Sequence, residues 1–106
     1  MTMTYHAREE RCDRIFIINK YIGIGNPIKE IPATTKKSVG AKAVLTDTGI
    51  IVVRDKRNTT VITMIVPEFD YVKKNFYPDD VVPWELQLTI SRNKKYIEVI
   101  KTIEAL

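Results

Sequence analysis

Residues 41–66, AKAVLTDTGIIVVRDKRNTTVITMIV, contain three short runs that are rich in β-branched residues. The runs are separated at 47–49, Asp-Thr-Gly, and at 55–58, Asp-Lys-Arg-Asn, which are residue types that turns favour. Apolar residues occupy both alternating positions of the inner runs, as expected for strands that are covered on both faces. This stretch therefore predicts a three-stranded antiparallel meander against which the other elements pack.

The segment before the meander divides into a helical pattern and a connecting pattern. Residues 4–22 predict a first helix, because isoleucines recur at helical spacing and Gly23 follows the last of them. The isoleucine stripe consists of Ile15, Ile18 and Ile22. Residues 23–40 contain two prolines and several Thr and Ser residues, which predict a loop with room for one turn of helix at 27–31.

The segment after the meander shows three further patterns. Residues 68–76 predict a short helix whose apolar positions are Phe69, Val72 and Phe76. Residues 84–90, WELQLTI, alternate strictly between apolar and polar side chains and predict a fourth strand. Residues 93–105 predict a last helix capped by Ser91, but their β-branched residues also fit a strand in a hairpin with 84–90.

These patterns together predict an α+β fold. The N-terminal helix is expected to pack on one face of a mainly antiparallel four-stranded sheet, with a C-terminal helix if 93–105 is helical.

The length of 106 residues fits a single domain with one hydrophobic core, and 44% hydrophobic with 28% charged residues is a globular composition. Cys12 is the only cysteine, so no internal disulfide is expected. No apolar stretch suggests a signal peptide or a membrane span, so a cytoplasmic protein is expected.

Basic residues are concentrated in or beside the predicted turns. The net charge is +4, and the loop residues with the clearest clustering are Lys36, Lys37, Lys56 and Arg57. Basic loops favour a polyanionic partner such as RNA, through phosphate contacts that carry no sequence information. Lysines at turns also occur simply as a solvated surface, so this distribution alone leaves both interpretations open.

The candidate catalytic residues lie at the start of the first predicted helix. RNA cleavage without a metal requires removal of a proton from the 2′-hydroxyl, a cation beside the phosphorane and protonation of the leaving 5′-oxygen. His6 fits the acid–base role, and Arg8 with Arg11 fits bidentate binding of the phosphate. The same residues also fit an ordinary amphipathic helix start in which Glu10 and Arg14 form a surface pair. With one histidine and one cysteine, no metal or other cofactor is expected.

Three short motifs in order carry a family resemblance. They are His-Ala-x-x-x-Arg at 6–11, x-Thr-Asp-x-Gly-x-x-Val-Val at 45–53, and Val-x-Thr at 61–63. In this order the chain resembles the barnase–EndoU–colicin–RelE superfamily, and its prophage and polymorphic-toxin branches are the most similar. The resemblance implies an N-terminal helix or two on a four-stranded antiparallel sheet. It also implies a metal-independent ribonuclease, often a toxin that acts on tRNA or other cellular RNA.

The resemblance also assigns roles to individual residues. It implies His6 as the helix histidine, Arg11 as the helix arginine with Arg8 as the second choice, and Thr63 as the strand threonine that hydrogen-bonds the phosphate. Thr63 is expected to face the start of the first helix. Because the chain has no second histidine, the partner acid or base is expected among Tyr5, Lys42 and Glu10. An RNA partner and an inhibitory or immunity protein that masks the basic cleft are implied as well.

A second function fits the same fold. The chain is alternatively a non-catalytic prophage or accessory module that binds another protein. In that case its polar candidates need not converge, and an exposed apolar patch is expected instead. The residues expected to form that patch are Ile24, Tyr71, Phe76, Tyr77 and Trp84.

Overall fold

The computed structural model describes residues 2–3, 12–33, 39–57 and 60–105. The helical elements are α1 (Cys12–Ile17), which continues as a π-helical segment (Ile18–Ile22), α2 (Phe69–Phe76) and α3 (Trp84–Glu104). The strands are β1 (Thr2–Met3), β2 (Pro27–Pro32), β3 (Lys42–Thr46), β4 (Ile51–Arg54) and β5 (Thr60–Ile65). None of the described helices is long and apolar enough to span a membrane.

The five strands form one sheet in the order β1-β5-β4-β3-β2. Strands β2 to β5 are antiparallel to their neighbours, and the two-residue β1 pairs with β5 in parallel. The predicted meander over 41–66 is confirmed as β3, β4 and β5, with its turns at the expected places. The predicted α+β class is also confirmed, because an N-terminal helix and a C-terminal helix pack on a four-stranded antiparallel sheet.

The fourth antiparallel strand is not the predicted one. The loop predicted at 23–40 contains β2, which pairs with β3 from Pro27 opposite Thr46 to Pro32 opposite Lys42. A proline has no backbone N–H to donate, so it is tolerated at the ends of an edge strand. Both prolines occupy such ends, and residues 29–31 pair regularly with β3 after a register shift at Ile28. The prolines therefore delimit this strand, which is why their presence was wrongly interpreted as a loop.

The predicted strand at 84–90 is wrong, because it is the first third of α3. Leu86 and Ile90 are buried, whereas Leu88 between them is exposed. A spacing of four residues fits a helix face as well as it fits alternate strand positions, so the alternation was ambiguous. The helix predicted for 93–105 is confirmed, but it begins at Trp84, and Ser91 lies inside it rather than at its cap.

Two apolar clusters fill the two faces of the sheet. The first includes Ile15, Ile17 and Ile18 against Val52 and Met64, and the end of α3 adds Ile97 and Ile100 to it. The second includes Ala43, Leu45 and Ile51 against Val72 and Phe76 of α2, and the start of α3 adds Leu86 and Ile90. The predicted isoleucine stripe is confirmed, since Ile15 and Ile18 are buried and Ile22 packs against the first cluster.

Helix α3 reaches both clusters because it passes the end of the sheet. At about 1.5 Å per residue it is about 30 Å long, enough to extend from one face to the other. Between its two apolar ends lies Asn93, which is buried and donates a hydrogen bond from Nδ2 to the Thr48 carbonyl oxygen at 2.8 Å. This contact fixes the middle of α3 against the β3–β4 turn, and each half of the helix then covers a different face.

Helix α2 confirms the prediction for 68–76 with one difference. Val72 and Phe76 are almost completely buried in the second cluster, but Phe69 at the start of the helix is 39% exposed. The helix packs on the sheet through its last two turns, and its first residue extends beyond the apolar contact. Tyr77 directly after the helix is also buried, and Lys29 of β2 places its Nζ 4.0 Å from the centre of the tyrosine ring.

Candidate catalytic face

The face of the sheet that α1 covers also carries three charged residues. Side chains alternate along a strand, so Lys42 and Arg54 share the face of Val44 and Val52, which are their neighbours two positions away. Lys42 and Arg54 are direct partners across β3 and β4. Glu30 on β2 pairs with Val44, and its carboxylate Oε1 lies 3.3 Å from Lys42 Nζ. We call Glu30, Lys42 and Arg54 the charged row.

A cavity of about 170 Å³ adjoins the charged row. Arg54 and Glu30 contribute to its wall, and the remaining wall is mostly apolar or backbone. The lining residues are Ile24, Gly25, Pro27, Glu30, Val44, Thr46, Val52 and Arg54. A half-buried guanidinium group beside an apolar surface offers an anion a binding partner with less competition from water than at an exposed site.

The pairing of β4 with its neighbour β5 is irregular beside Arg54. Val53 pairs with Thr63, but Arg54 pairs with Val61, so Ile62 is the extra residue of a β-bulge. A bulge increases the local twist and redirects neighbouring side chains, and bulges are common beside functional sites. The bulge therefore lies on β5, directly beside the end of β4 that carries Arg54.

The β3–β4 turn holds the segment that contributes Ile24 and Gly25 to the cavity wall. The Asn26 backbone N–H donates to Asp47 Oδ1 at 2.9 Å, and the Asp47 backbone N–H donates to the Asn26 carbonyl at 2.9 Å. The Thr48 hydroxyl is within 2.7 Å of the Gly23 carbonyl oxygen and 2.9 Å of that of Ile24. These contacts hold the segment at 23–26 against the turn and fix the position of the cavity.

Most of the predicted site residues fall in parts of the chain that the structure does not describe. His6, Arg8 and Arg11 lie outside the described residues, as do Tyr5 and Glu10 and the loop lysines Lys36 and Lys37. Lys56 and Arg57 are described, and both are exposed in the turn that follows β4. They lie two and three residues beyond Arg54, so this basic turn directly follows the strand that carries one member of the charged row.

Sequence reasoning did not select two members of the charged row. Arg54 ends an apolar run and was not among the candidates, and Glu30 was missed because its segment was interpreted as a loop. Lys42 was among the expected acid–base partners. The signal that identifies the row is strand pairing: once β2 is placed beside β3, Glu30 and Arg54 fall on the two sides of the same strand and on the same face.

Thr63 lies on the third meander strand as expected, but it does not face α1. It pairs with Val53 and shares the face of Ile51 and Ile65, whereas the adjacent Met64 belongs to the cluster that α1 covers. Since successive side chains in a strand point to opposite faces, Thr63 and α1 are on opposite sides of the sheet. The Thr63 hydroxyl oxygen is buried and has no hydrogen-bond partner among the described residues.

Replacement of Thr63 by valine is expected to raise the free energy of unfolding by about 1 kcal/mol, because a buried hydroxyl without a partner is destabilising and valine has the same shape. Thr46→Val is the matched control. Thr46 is also a strand residue with a buried side chain, but its hydroxyl lies 3.0 Å from that of Thr48, so its replacement is expected to lower stability. Chemical denaturation measures both changes. A loss of stability in Thr63→Val would show that the hydroxyl has a stabilising partner.

The apolar patch expected for a protein-binding module does not form as a unit. Phe76 and Tyr77 are buried in the second cluster, and Ile24 is half-buried beside the first. Only Tyr71 and Trp84 of that set are exposed.

Comparisons of the chain with protein-family models, with curated proteins and with solved structures give no match in any of the three.

Proposed function

We propose that this chain is a metal-independent endoribonuclease, toxin-like or prophage-encoded, that acts on cellular RNA such as tRNA in the cytoplasm. The observation that carries the proposal is the pairing of Lys42 with Arg54, beside Glu30, on the sheet face that α1 covers. Two cations and a carboxylate next to a cavity supply the groups that phosphodiester cleavage needs. The family resemblance adds His6 and an arginine from the preceding helix.

The proposed reaction is a 2′-O transesterification. A base removes the proton of the 2′-hydroxyl, the 2′-oxygen bonds to the adjacent phosphorus, and the bond from phosphorus to the 5′-oxygen breaks. The products are a 2′,3′-cyclic phosphate and a 5′-hydroxyl, whose proton comes from a general acid. We assign the base to His6, the helix histidine that the resemblance implies, and the general acid to Lys42, whose ammonium group adjoins Glu30. Arg54 binds the non-bridging oxygens and stabilises the added negative charge of the phosphorane.

The exposed turn after β4 supports the entry of a polyanion. Lys56 and Arg57 attract the phosphate backbone from solvent, and the guanidinium group of Arg54 at the end of the same strand then receives the reacting phosphate. An inhibitory protein that covers this basic surface is part of the proposal for a toxin-like enzyme.

The test is incubation of the purified protein with total RNA and with bulk tRNA in EDTA, followed by a denaturing gel. Discrete fragments with 2′,3′-cyclic phosphate and 5′-hydroxyl ends are expected, because EDTA leaves a metal-independent reaction intact. The His6→Ala protein, purified in parallel, controls for contaminating ribonuclease. RNA that stays intact at high protein concentration would contradict the proposed function.

A further inference from the structure

A row of aromatic and lysine side chains covers the outer surface where α1 meets α3. Phe16 and Tyr21 are 58% and 56% exposed, whereas the isoleucines between them are directed into the first cluster. Lys20 lies between the two rings, with its Nζ 5.3 Å from the centre of Phe16 and 5.4 Å from that of Tyr21. The row continues onto α3, where Tyr96 and Lys95 follow.

The contacts along this surface are continuous. The rings of Tyr21 and Tyr96 are stacked, with centres 6.0 Å apart and planes inclined by 22°. Lys95 Nζ lies 4.9 Å from the centre of Tyr96. The five side chains, which we call the aromatic–lysine row, are Phe16, Lys20, Tyr21, Tyr96 and Lys95. Each ring therefore adjoins a lysine ammonium group, and each lysine adjoins a ring.

The π-helical segment creates the first half of the row. Its wider turn closes with a hydrogen bond from the Gly23 N–H to the Ile18 carbonyl oxygen at 2.6 Å, five residues back. With more than four residues per turn, Phe16 aligns with both Lys20 and Tyr21 on the outer surface. π-Helical turns are rare and frequently occur at functional sites, and this one leaves the buried isoleucines in place while it groups the three outer residues.

The chemistry of the row fits a single-stranded nucleic acid. Exposed rings offer faces on which unpaired bases stack, and lysines between them contact the phosphates that connect those bases. Lysine is depleted in the contact surfaces of protein partners, so an aromatic surface interleaved with lysines favours a nucleic acid over a protein. Within the described residues neither Lys20 nor Lys95 forms a salt bridge, so both ammonium groups are available to phosphate.

We propose that the aromatic–lysine row binds a single-stranded segment of the RNA, outside the charged row at which the strand is cut. This assignment rests on the proposed function for the identity of the nucleic acid. Unpaired bases stack on Phe16 and on the Tyr21–Tyr96 pair, while Lys20 and Lys95 contact the backbone. The row consequently selects RNA that is unpaired over a few nucleotides, because bases in a duplex have no free faces for the rings.

The test uses a fluorescent 2′-O-methyl RNA 12-mer, which cannot undergo transesterification, and follows binding by fluorescence anisotropy. The Phe16→Leu/Tyr21→Leu protein is expected to bind the single strand about tenfold more weakly than the wild type, from the loss of base stacking. The salt dependence of its RNA affinity is expected to equal that of the wild type, because both lysines are retained. Tyr71→Leu removes a ring that is 46% exposed on α2 and is the matched control, with binding expected within twofold of the wild type.

A second variant tests the lysines separately. For the Lys20→Gln/Lys95→Gln protein, the slope of log affinity against log salt concentration is expected to be shallower than for the wild type by roughly 1.4. Each phosphate contact on a single strand contributes about 0.7 to this slope. Lys74→Gln on α2 is its control and is expected to lower the slope less. A 2′-O-methyl duplex of the same sequence is expected to bind the wild type and the Phe16→Leu/Tyr21→Leu protein equally.

The outcomes separate this inference from the proposed function. Wild-type affinity in both double variants, or no binding of the single strand by the wild-type protein, would overturn the aromatic–lysine row as a binding site even if natural RNA is cleaved. Binding that depends on the row, in a protein that leaves natural RNA intact, would support the site and contradict the nuclease activity. An equal loss of affinity in Tyr71→Leu would also overturn the site.

Discussion

Arg54→Gln is expected to slow RNA cleavage by a factor of about one hundred, while the free energy of unfolding stays close to that of the wild type. Loss of one preorganised group that stabilises transition-state charge typically reduces turnover by about 10²–10³-fold. Arg54 lies at the end of β4, where it is only half-buried and lines the cavity beside the charged row. Its side chain is therefore expected to matter to the reaction more than to the fold.

Two further substitutions define the role of Arg54. Arg54→Lys keeps the charge but cannot bind two oxygens in parallel, so an intermediate loss of about tenfold is expected. Lys74→Gln removes one positive charge from α2 and is expected to leave the cleavage rate within twofold, because its exposed position is screened by salt. Single-turnover cleavage of bulk tRNA, with unfolding curves for each protein, provides the comparison. A folded Arg54→Gln protein that cleaves at the wild-type rate would remove Arg54 from the proposed site.

The His6→Ala protein links the helix motif to the charged row. Removal of a general acid or base typically costs about 10²–10⁴-fold in rate, so cleavage by His6→Ala is expected to be barely detectable. If His6 and Arg54 act in one reaction step, the double variant is expected to lose much less than the product of the two single losses. A fully multiplicative loss would indicate that the two residues act independently.

Gly25→Ala is expected to lower the free energy of unfolding by about 3 kcal/mol, the largest stability change that we expect from a single methyl group. Gly25 has a positive φ of 76°, which disfavours any side chain, and a Cβ atom there would overlap with the Asp47 carboxylate and approach Thr48 Cγ2 to 2.7 Å. Asp47 cannot move away without giving up its hydrogen bond from Asn26. The substitution therefore separates the segment at 23–26 from the β3–β4 turn.

Gly40→Ala isolates the contribution of the backbone conformation. Gly40 has nearly the same φ, 80°, but a Cβ atom there meets the side chain of Lys56, which is exposed and able to shift. Only the conformational cost of about 1 kcal/mol is expected at this position. Urea denaturation of the two proteins measures the difference. Equal losses would mean that the β3–β4 turn accommodates the Gly25 methyl group without strain.

The parts of the fold that could be predicted are those in which local preference and burial agree. The meander was predictable because β-branched runs alternate with turn residues over 41–66, and the first helix because its isoleucines recur at helical spacing. Residues 27–32 and 84–90 were wrongly assigned for opposite reasons. Prolines that end an edge strand resemble loop residues, and leucine and isoleucine four positions apart suit a helix and a strand equally. Pairing with β3 makes 27–32 a strand, and the packing of α3 makes 84–90 a helix, so tertiary contacts decide both.

The candidate site was predictable only in part, because its members come from three strands. Lys42 was among the candidates from sequence, but nothing local distinguishes Arg54 or Glu30 from ordinary surface charges until strand pairing aligns them. The orientation of Thr63 was missed for a related reason. The face of the sheet on which Thr63 lies depends on the register between β4 and β5. The Val-x-Thr motif at 61–63 does not determine that register.

The passage of α3 from one face of the sheet to the other has a consequence for synthesis of the chain. Ile97 and Ile100 complete the first cluster and Leu86 with Ile90 complete the second, so both faces need residues that the ribosome adds after the whole sheet. Neither hydrophobic core is therefore complete while only the sheet has emerged, and both close together once the residues of α3 can pack.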